Sequence, residues 1–195
     1  MCGDRCLTHP ATWCSAGPHD AARATTSPVT WFSSRNISSS TVPAPSEAIW
    51  AVLTDPALLA SLTPLVSSIE GDGDHWTWTL AGIDGLGLTV APSFTERMEF
   101  IDERSIVFTH EPPPRSRERA AVDGVYELTP AADAATDLAI DLTLSVDLPL
   151  PRLARPAVEE IMRTTMRTTG HRFATNLYRH LGLDPRTVTV DEARP

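Results

Sequence analysis

A carboxylate stands among large apolar side chains in the stretch SFTERMEF, which occupies positions 93 to 100. In an extended strand alternate side chains share one face, so Glu96 would lie beside Phe94 and Met98. Burying an unpaired carboxylate is costly and normally shifts its pKa. We therefore predict that Glu96 faces a cavity, where a ligand or trapped water can satisfy its oxygens.

Three further side chains that can hold or transfer a proton are predicted near the same inner surface. His110 and Tyr126 lie on the following strands, and His171 lies in a helical stretch. Glu96 and His110 suit an acid/base pair acting on an enolisable chain, with the Tyr126 hydroxyl steadying an enolate oxygen. The alternative is that Glu96 and His110 only pair with each other, or lie at a sheet end in solvent.

Aromatic and methionine side chains would form the rest of the cavity wall. Strand alternation and helical spacing predict ligand contacts from Trp78, Phe94, Glu96, Met98, Phe108, His110, Tyr126, Met162, Met166 and His171. The apolar members of this set also suit a plain core between a sheet and a helix. Both interpretations remain open in the sequence.

Common motifs for metal, nucleotide or nucleophilic chemistry do not occur in the sequence. G-x-S-x-G, H-E-x-x-H, C-x-x-C and the phosphate loop are all missing. The glycine cluster GIDGLG at 82–87 joins two predicted strands and does not open a helix. Cys2, Cys6 and Cys14 follow neither common zinc spacing. We expect no metal and no cofactor.

The charge balance argues against several classes of partner. The chain has 195 residues, a formal charge of −9 and 16 basic residues, all arginine. This balance disfavours nucleic acid or an anionic membrane as the main partner, and without lysine there is no Schiff-base chemistry. No apolar run approaches the length of a membrane helix, and the first residues lack the apolar stretch of a signal peptide. We expect a cytoplasmic monomer or homodimer without integral membrane association.

The elements that position these residues follow from the spacing of apolar side chains. A strand over 31–42, polar and alternating, precedes two short helices that meet at Asp55-Pro56 and end before Pro64. Six strand-like stretches joined mostly by short turns then favour an antiparallel meander. The last strand, over 136–149, alternates cleanly and leads through prolines into a long amphipathic helix.

The composition changes near both ends of the chain. We predict one domain over 31–183, which is long enough to bury a core. A leader over 1–30, rich in small and polar residues, is expected to be disordered or loosely packed. The tail over 184–195 is expected to be loose.

Three stretches carry a likeness to a known family: TVPAPSEAIWAVLTDPALLASLTP at 41–64, LSVDLPLPRLARPAVEEIM at 144–162 and GHRFATNLYRHLG at 170–182. With them, the order of elements resembles the helix-grip fold of the START-like, SRPBCC-type superfamily, which includes polyketide cyclase-like, lipid-transfer and pollen-allergen-like proteins. It implies an α+β fold in which a curved seven-stranded antiparallel sheet packs on a long C-terminal helix, with two short helices between strands 1 and 2. It also implies a cavity between sheet and helix for an apolar or amphipathic ligand, but no particular reaction.

Three functions follow as hypotheses. The first is binding of an apolar or aromatic small molecule, lipid- or polyketide-like, in that cavity. The second is a cofactor-independent polyketide cyclase, aromatase or dehydratase that uses the same cavity. The third is a protein-interaction module that acts through a sheet edge or through the proline-rich turn carrying Arg115, Arg117 and Arg119. A space filled by the protein's own side chains would exclude the first two.

Overall fold

The structure is a computed structural model that describes residues 30–81, 83–85, 88–90 and 92–193. The predicted leader over 1–30 lies outside the described residues apart from Thr30. None of the described helices combines the length and the apolar character needed to cross a membrane.

The described chain forms three α-helices and ten strands. The helices are α1 (Ser46–Leu53), α2 (Pro56–Leu62) and α3 (Arg155–His180). The strands are β1 (Thr30–Val42), β2 (Val66–Asp72), β3 (His75–Leu80), β4 (Ile83–Gly85), β5 (Leu88–Val90), β6 (Ser93–Ile101), β7 (Ser105–His110), β8 (Ala120–Pro130), β9 (Thr136–Leu148) and β10 (Asp191–Glu192).

Eight strands form one antiparallel sheet in the order β10-β1-β9-β8-β7-β6-β3-β2, and β4 pairs with β5 as a separate hairpin. The predicted meander is confirmed, because β6, β7 and β8 each lie beside the next strand of the chain. Helix α3 packs against this open sheet, which confirms the predicted α+β helix-grip fold. The predicted count of seven strands is one too few.

The additional strand is β10, so the expectation of a loose C-terminal tail is wrong over these residues. Glu192 pairs with Ser38 of β1, and its carboxylate lies 2.5 Å from Arg167 Nε on α3. The edge of β1 offers unpaired backbone groups, and a short extended segment can satisfy some of them. The tail thereby connects the sheet edge to the helix.

The second short helix begins as its sequence predicts. The Asp55 side chain caps α2 by accepting a hydrogen bond from Leu58 N at 3.0 Å, and Pro56 occupies the first helical position. Pro45 lies directly before α1, at its N-cap position. Both helices bury apolar residues against the sheet and so close one side of the domain.

The core is divided into two clusters along α3. The larger one joins α1, α2 and the inner sheet face to the C-terminal part of α3, where Phe173, Leu177 and Tyr178 are buried. The smaller one, at the start of α3, contains Phe32, with Val158 and Met162 from the helix. The middle of α3 lies between these clusters, over the inner face of the sheet.

Gly124 of β8 permits a close approach within the sheet. A Cβ atom at this position would lie 2.4 Å from the Asp141 carbonyl oxygen and 2.7 Å from the ring of Phe108. The Phe108 ring therefore occupies the space that a side chain would need, and it packs against Tyr126 with centroids 4.8 Å apart. The absence of a side chain at Gly124 thus makes room for a neighbouring ring.

Candidate functional site

A cavity of about 190 Å³ lies between the inner face of the sheet and the middle of α3. Such a volume exceeds the space that a single water needs and can accommodate part or all of a small molecule. Leu59 of α2 and the segment 63–66 close one side of the cavity.

The cavity exists because the middle of α3 presents small or flexible side chains to the sheet. Thr165, Met166, Thr169 and Gly170 all line the cavity. A Cβ atom built on Gly170 would meet nothing within 4 Å, so the helix is thinnest at that point. The two packed clusters hold α3 on either side of this stretch and keep it from collapsing onto the sheet.

Six of the ten predicted ligand contacts line the cavity, and four do not. The six are Trp78, Phe94, Glu96, Phe108, Tyr126 and Met166. The Trp78 and Phe94 rings stack with centroids 6.0 Å apart, which gives the cavity an aromatic wall. These positions follow from strand alternation, since all five strand residues share the inner face of the sheet.

Three of the other predicted contacts lie outside the cavity wall, two because they pack in the core and one because of its position on the helix. Met98 is buried in the larger core cluster, and Met162 packs beside Phe32 in the smaller one. His171 is exposed, because one residue beyond Gly170 turns the helix by about 100° away from the cavity. The structure gives none of these three residues a place in the cavity wall.

His110, the fourth of these, is held by a carboxylate that the sequence did not suggest. Its Nε2 lies 2.8 Å from Oε2 of Glu118. The same carboxylate accepts hydrogen bonds from the backbone N–H of Thr95 at Oε2 and from the Thr95 hydroxyl at Oε1. Glu96 and His110 are cross-strand partners, yet the imidazole pairs with Glu118. The predicted Glu96–His110 acid/base pair is therefore not assembled in the structure.

Glu96 is the buried titratable group of the cavity, with only 2 % of its surface exposed. Within the described part of the chain, neither its Oε2 nor Trp78 Nε1 has a hydrogen-bond partner. Burial raises the pKa of Glu96 well above its usual range; the nearby Trp78 indole opposes this rise and the Asp123 carboxylate adds to it. The indole N–H dipole lies close enough to stabilise the charged carboxylate of Glu96, although the two side chains do not meet the geometry of a hydrogen bond. The protonated, neutral form of Glu96 is thus favoured over a wider pH range than usual.

Tyr126 provides a second proton-bearing group in the same cavity. Burial raises the pKa of its phenol, and the charge of Glu96 adds to that rise. Its hydroxyl makes no hydrogen bond with any described residue, and the part of its surface that remains accessible faces the cavity. Tyr126 can therefore donate a hydrogen bond to a bound molecule.

Sequence reasoning missed a polar part of the wall. Asn36 and Ser38 of β1 line the cavity opposite Thr165 and Thr169 of α3. Strand β1 carries polar residues on both faces, so its alternation gives no sign of which face is inside. The described residues hold no group of three or more His, Cys, Asp or Glu side chains placed to bind a metal ion.

An open antiparallel sheet packed on a long C-terminal helix, with a cavity between them, defines a helix-grip protein of the START-like class. Residues 35–182 match the family model described as polyketide cyclase / dehydrase and lipid transport. The chain belongs to this family. No curated protein sequence matches it significantly.

Several solved structures share the fold at low sequence identity. The Zhui aromatase/cyclase from Streptomyces sp. R1128 is 14 % identical with a TM-score of 0.55, covering 77 % of this chain and 93 % of its own. A conserved protein from Geobacillus kaustophilus is 16 % identical with a TM-score of 0.55, covering 80 % and 98 %. A START superfamily protein from Mycobacterium smegmatis is 16 % identical with a TM-score of 0.53, covering 74 % and 96 %. These similarities establish a common architecture.

Proposed function

We propose that the cavity binds a neutral small molecule, mostly apolar or aromatic and lipid- or polyketide-like, which Glu96, Trp78 and Tyr126 orient. The observation that carries this proposal is the buried Glu96 carboxyl, whose Oε2 has no hydrogen-bond partner among the described residues, in the same cavity wall as the Trp78 indole, whose Nε1 has none either. Buried polar groups without partners are rare in folded proteins, because each one costs stability. A bound molecule that completes their hydrogen bonds removes this cost.

Apolar contact would supply most of the affinity. The walls around Glu96 include the Trp78–Phe94 stack and the Phe108–Tyr126 pair. Burying 200 Å² of apolar ligand surface contributes about 5 kcal/mol before the costs of ordering the ligand are subtracted. The few polar groups then decide which molecules fit.

The polar groups favour a hydrogen-bond acceptor. Protonated Glu96, the Trp78 indole and the Tyr126 phenol are the hydrogen-bond donors that we place toward the ligand, and all three residues line the cavity. A carbonyl or hydroxyl oxygen can accept these bonds, whereas an ammonium group would require ionised Glu96. We therefore expect ketones and phenols to bind better than amines of the same shape.

Two tricyclic probes test this proposal, namely anthrone, which carries one ketone, and 9,10-dihydroanthracene, which lacks it. We expect the wild-type protein to bind anthrone more tightly in equilibrium dialysis, and Trp78→Phe and Glu96→Leu to reduce that preference. Met98→Leu, a core change outside the cavity, is the matched control and should retain it. Failure of the wild type to bind either probe would overturn the proposal, as would native mass spectrometry that finds a protein partner retained in place of a small molecule.

A second candidate function is a cyclase or dehydratase reaction in the same cavity. It is favoured by the raised pKa of Glu96, which suits a carboxyl that both gives and takes a proton, and by the free Tyr126 hydroxyl nearby. Glu96 would move a proton on an enolisable substrate, and Tyr126 would hold the enolate oxygen. With a poly-β-ketone mimic, Glu96→Gln and Tyr126→Phe should lower product formation, whereas His110→Ala should not. Equal yields from all four proteins would exclude this mechanism.

A further inference from the structure

Strand β1 is polar on both faces, and several side chains of its outer face are paired. The outward side chains bond across to β9, as Ser33 does with Ser145 at 2.8 Å, Arg35 with Asp141 at 2.8 and 2.5 Å, and Thr41 with Asp137 at 2.5 Å. Such cross-strand pairs are the usual means by which polar residues stabilise a sheet. The outer face therefore needs no further partner.

The inner face of β1 differs in its middle part, because three successive polar side chains there have no partner among the described residues. Asn36, Ser38 and Ser40, which we call the β1 strip, occupy successive inward positions. Asn36 and Ser38 line the cavity, and Ser38 is only 9 % exposed. Ser40 Oγ is buried without a hydrogen bond and lines a smaller cavity of about 30 Å³, which shares Ser38 with the larger one.

The helix above the β1 strip adds two more unpaired hydroxyls. Thr165 and Thr169 of α3 line the same cavity and make no hydrogen bond with a described residue. Thr168, which lies outside this cavity, instead donates to the Thr164 carbonyl oxygen at 2.9 Å. Hydroxyls and an amide thus meet across the cavity at a place where the protein leaves them unsatisfied.

The β1 strip is well separated from Glu96. Strands β1 and β6 are four inter-strand steps apart in the sheet order. At about 4.8 Å a step, this is roughly 19 Å measured along the sheet. The wall between them is mostly apolar, with Val122, Ile140 and Leu142, and also carries the Tyr126 phenol. One small polar group cannot contact both polar regions.

We propose that the β1 strip is a second polar contact site, and that the ligand is an elongated neutral molecule with an oxygen at each end of an apolar body. This inference rests on the proposed function and specifies its ligand. One oxygen accepts hydrogen bonds at Glu96 and Trp78, and the other bonds with Asn36 and Ser38. Asn36 and the hydroxyls can both donate and accept, so a hydroxyl oxygen suits this end.

Rigid steroids provide probes of this type, with an apolar body and an oxygen at one or both ends. Estradiol carries a hydroxyl at each end, 17-deoxyestradiol retains only the phenol, and 3-deoxyestradiol retains only the other hydroxyl. We expect the wild-type protein to bind the diol about 3- to 10-fold more tightly than either single-hydroxyl probe, the range of one neutral hydrogen bond. In the double variant Asn36→Leu, Ser38→Ala, the advantage over one of the two single-hydroxyl probes should disappear, while the advantage over the other remains.

Ser33→Ala, on the outer face of the same strand, is the matched control and should retain both preferences. Thermal unfolding without ligand gives an independent measurement: Ser38→Ala should be as stable as the wild type or more stable, because it removes an unpaired buried hydroxyl. Equal binding of all three steroids, or a clear loss of stability in Ser38→Ala, would overturn the proposal, because bound water would then suffice for the β1 strip. If the wild type also fails to bind anthrone, the proposed function is wrong as well. If anthrone binds, only the proposed role of the β1 strip is wrong.

Discussion

The C-terminal part of α3 and its middle face the same sheet in different ways. Leu177 and Tyr178 are each 1 % exposed, and the Tyr178 hydroxyl donates to the Thr41 carbonyl oxygen at 3.1 Å. Thr165 and Gly170, only two to three turns earlier, face open space. One helix therefore separates the two tasks: its packed part supplies stability, and its unpacked part leaves room for a ligand.

The start of α3 is packed as well, which explains how the middle remains open. Val158 and Met162 pack with Phe32, and the Arg155 guanidinium lies over the Phe32 ring, 5.5 Å from its centroid. Fixed at both ends, the helix can span the cavity without filling it. The following changes test this division of tasks.

The largest effect is expected at Leu177. Leu177→Ala should lower the free energy of unfolding by about 2–5 kcal/mol, because it creates a void in a packed core. Met166→Ala should cost distinctly less, since its side chain already borders a cavity. Urea denaturation of both variants measures the difference, and equal losses would contradict the division of α3 into packed and unpacked parts.

The next effect compares two glycines. Gly124→Ala should destabilise the protein by about 1–3 kcal/mol, because the new methyl group would overlap the Phe108 ring and the Asp141 carbonyl. Gly170→Ala serves as the contrasting variant, because Gly170 lies in helix α3 and its new Cβ atom would meet no atom. An unchanged urea midpoint in Gly124→Ala would contradict this expectation, because it would mean that Phe108 and the Asp141 carbonyl shift at little cost to accommodate the methyl group.

A pH-dependent effect is expected from Glu96. Its folded-state pKa is raised above the unfolded value, so the folded protein keeps the proton of this carboxyl at pH values at which the unfolded chain has lost it. Stability without ligand should therefore be greatest below the unfolded pKa and should fall as the pH rises toward the folded one. Each pH unit between the two pKa values is worth about 1.4 kcal/mol.

Glu96→Gln removes this titration and should flatten the stability profile above pH 4, leaving the variant more stable than the wild type at neutral pH. Chemical denaturation at a series of pH values measures both profiles. Parallel profiles for the two proteins would mean that Glu96 is not buried as the structure has it.

The smallest effect is a gain at Gly170. Gly170→Ala should raise the free energy of unfolding by about 0.5–1 kcal/mol, since alanine favours the helix and its Cβ meets no atom. Thermal unfolding measures this gain. The same methyl group narrows the cavity, so anthrone should bind less tightly. Unchanged anthrone binding in a stabilised variant would mean that Gly170 does not border the ligand site.

Much of the fold was predictable because periodicity is local. The clean alternation of β9 and the helical spacing of α3 assign an inner and an outer face without knowledge of any partner. Glu96 shares a strand face with Phe94 and Met98, so its burial was predictable for the same reason. The pairing of β10 with β1 was not, because two residues carry no recognisable pattern.

The sequence by itself determined which residues face inward on strands with clear alternation, and thus the aromatic wall and Glu96, since side-chain direction follows from the backbone period alone. Tertiary structure decided the rest of the site. It brought Glu118 from a turn to His110, and it turned the polar inner face of β1 toward α3. It also left space beside Gly170, because the two packed clusters on either side of this stretch set the distance between α3 and the sheet.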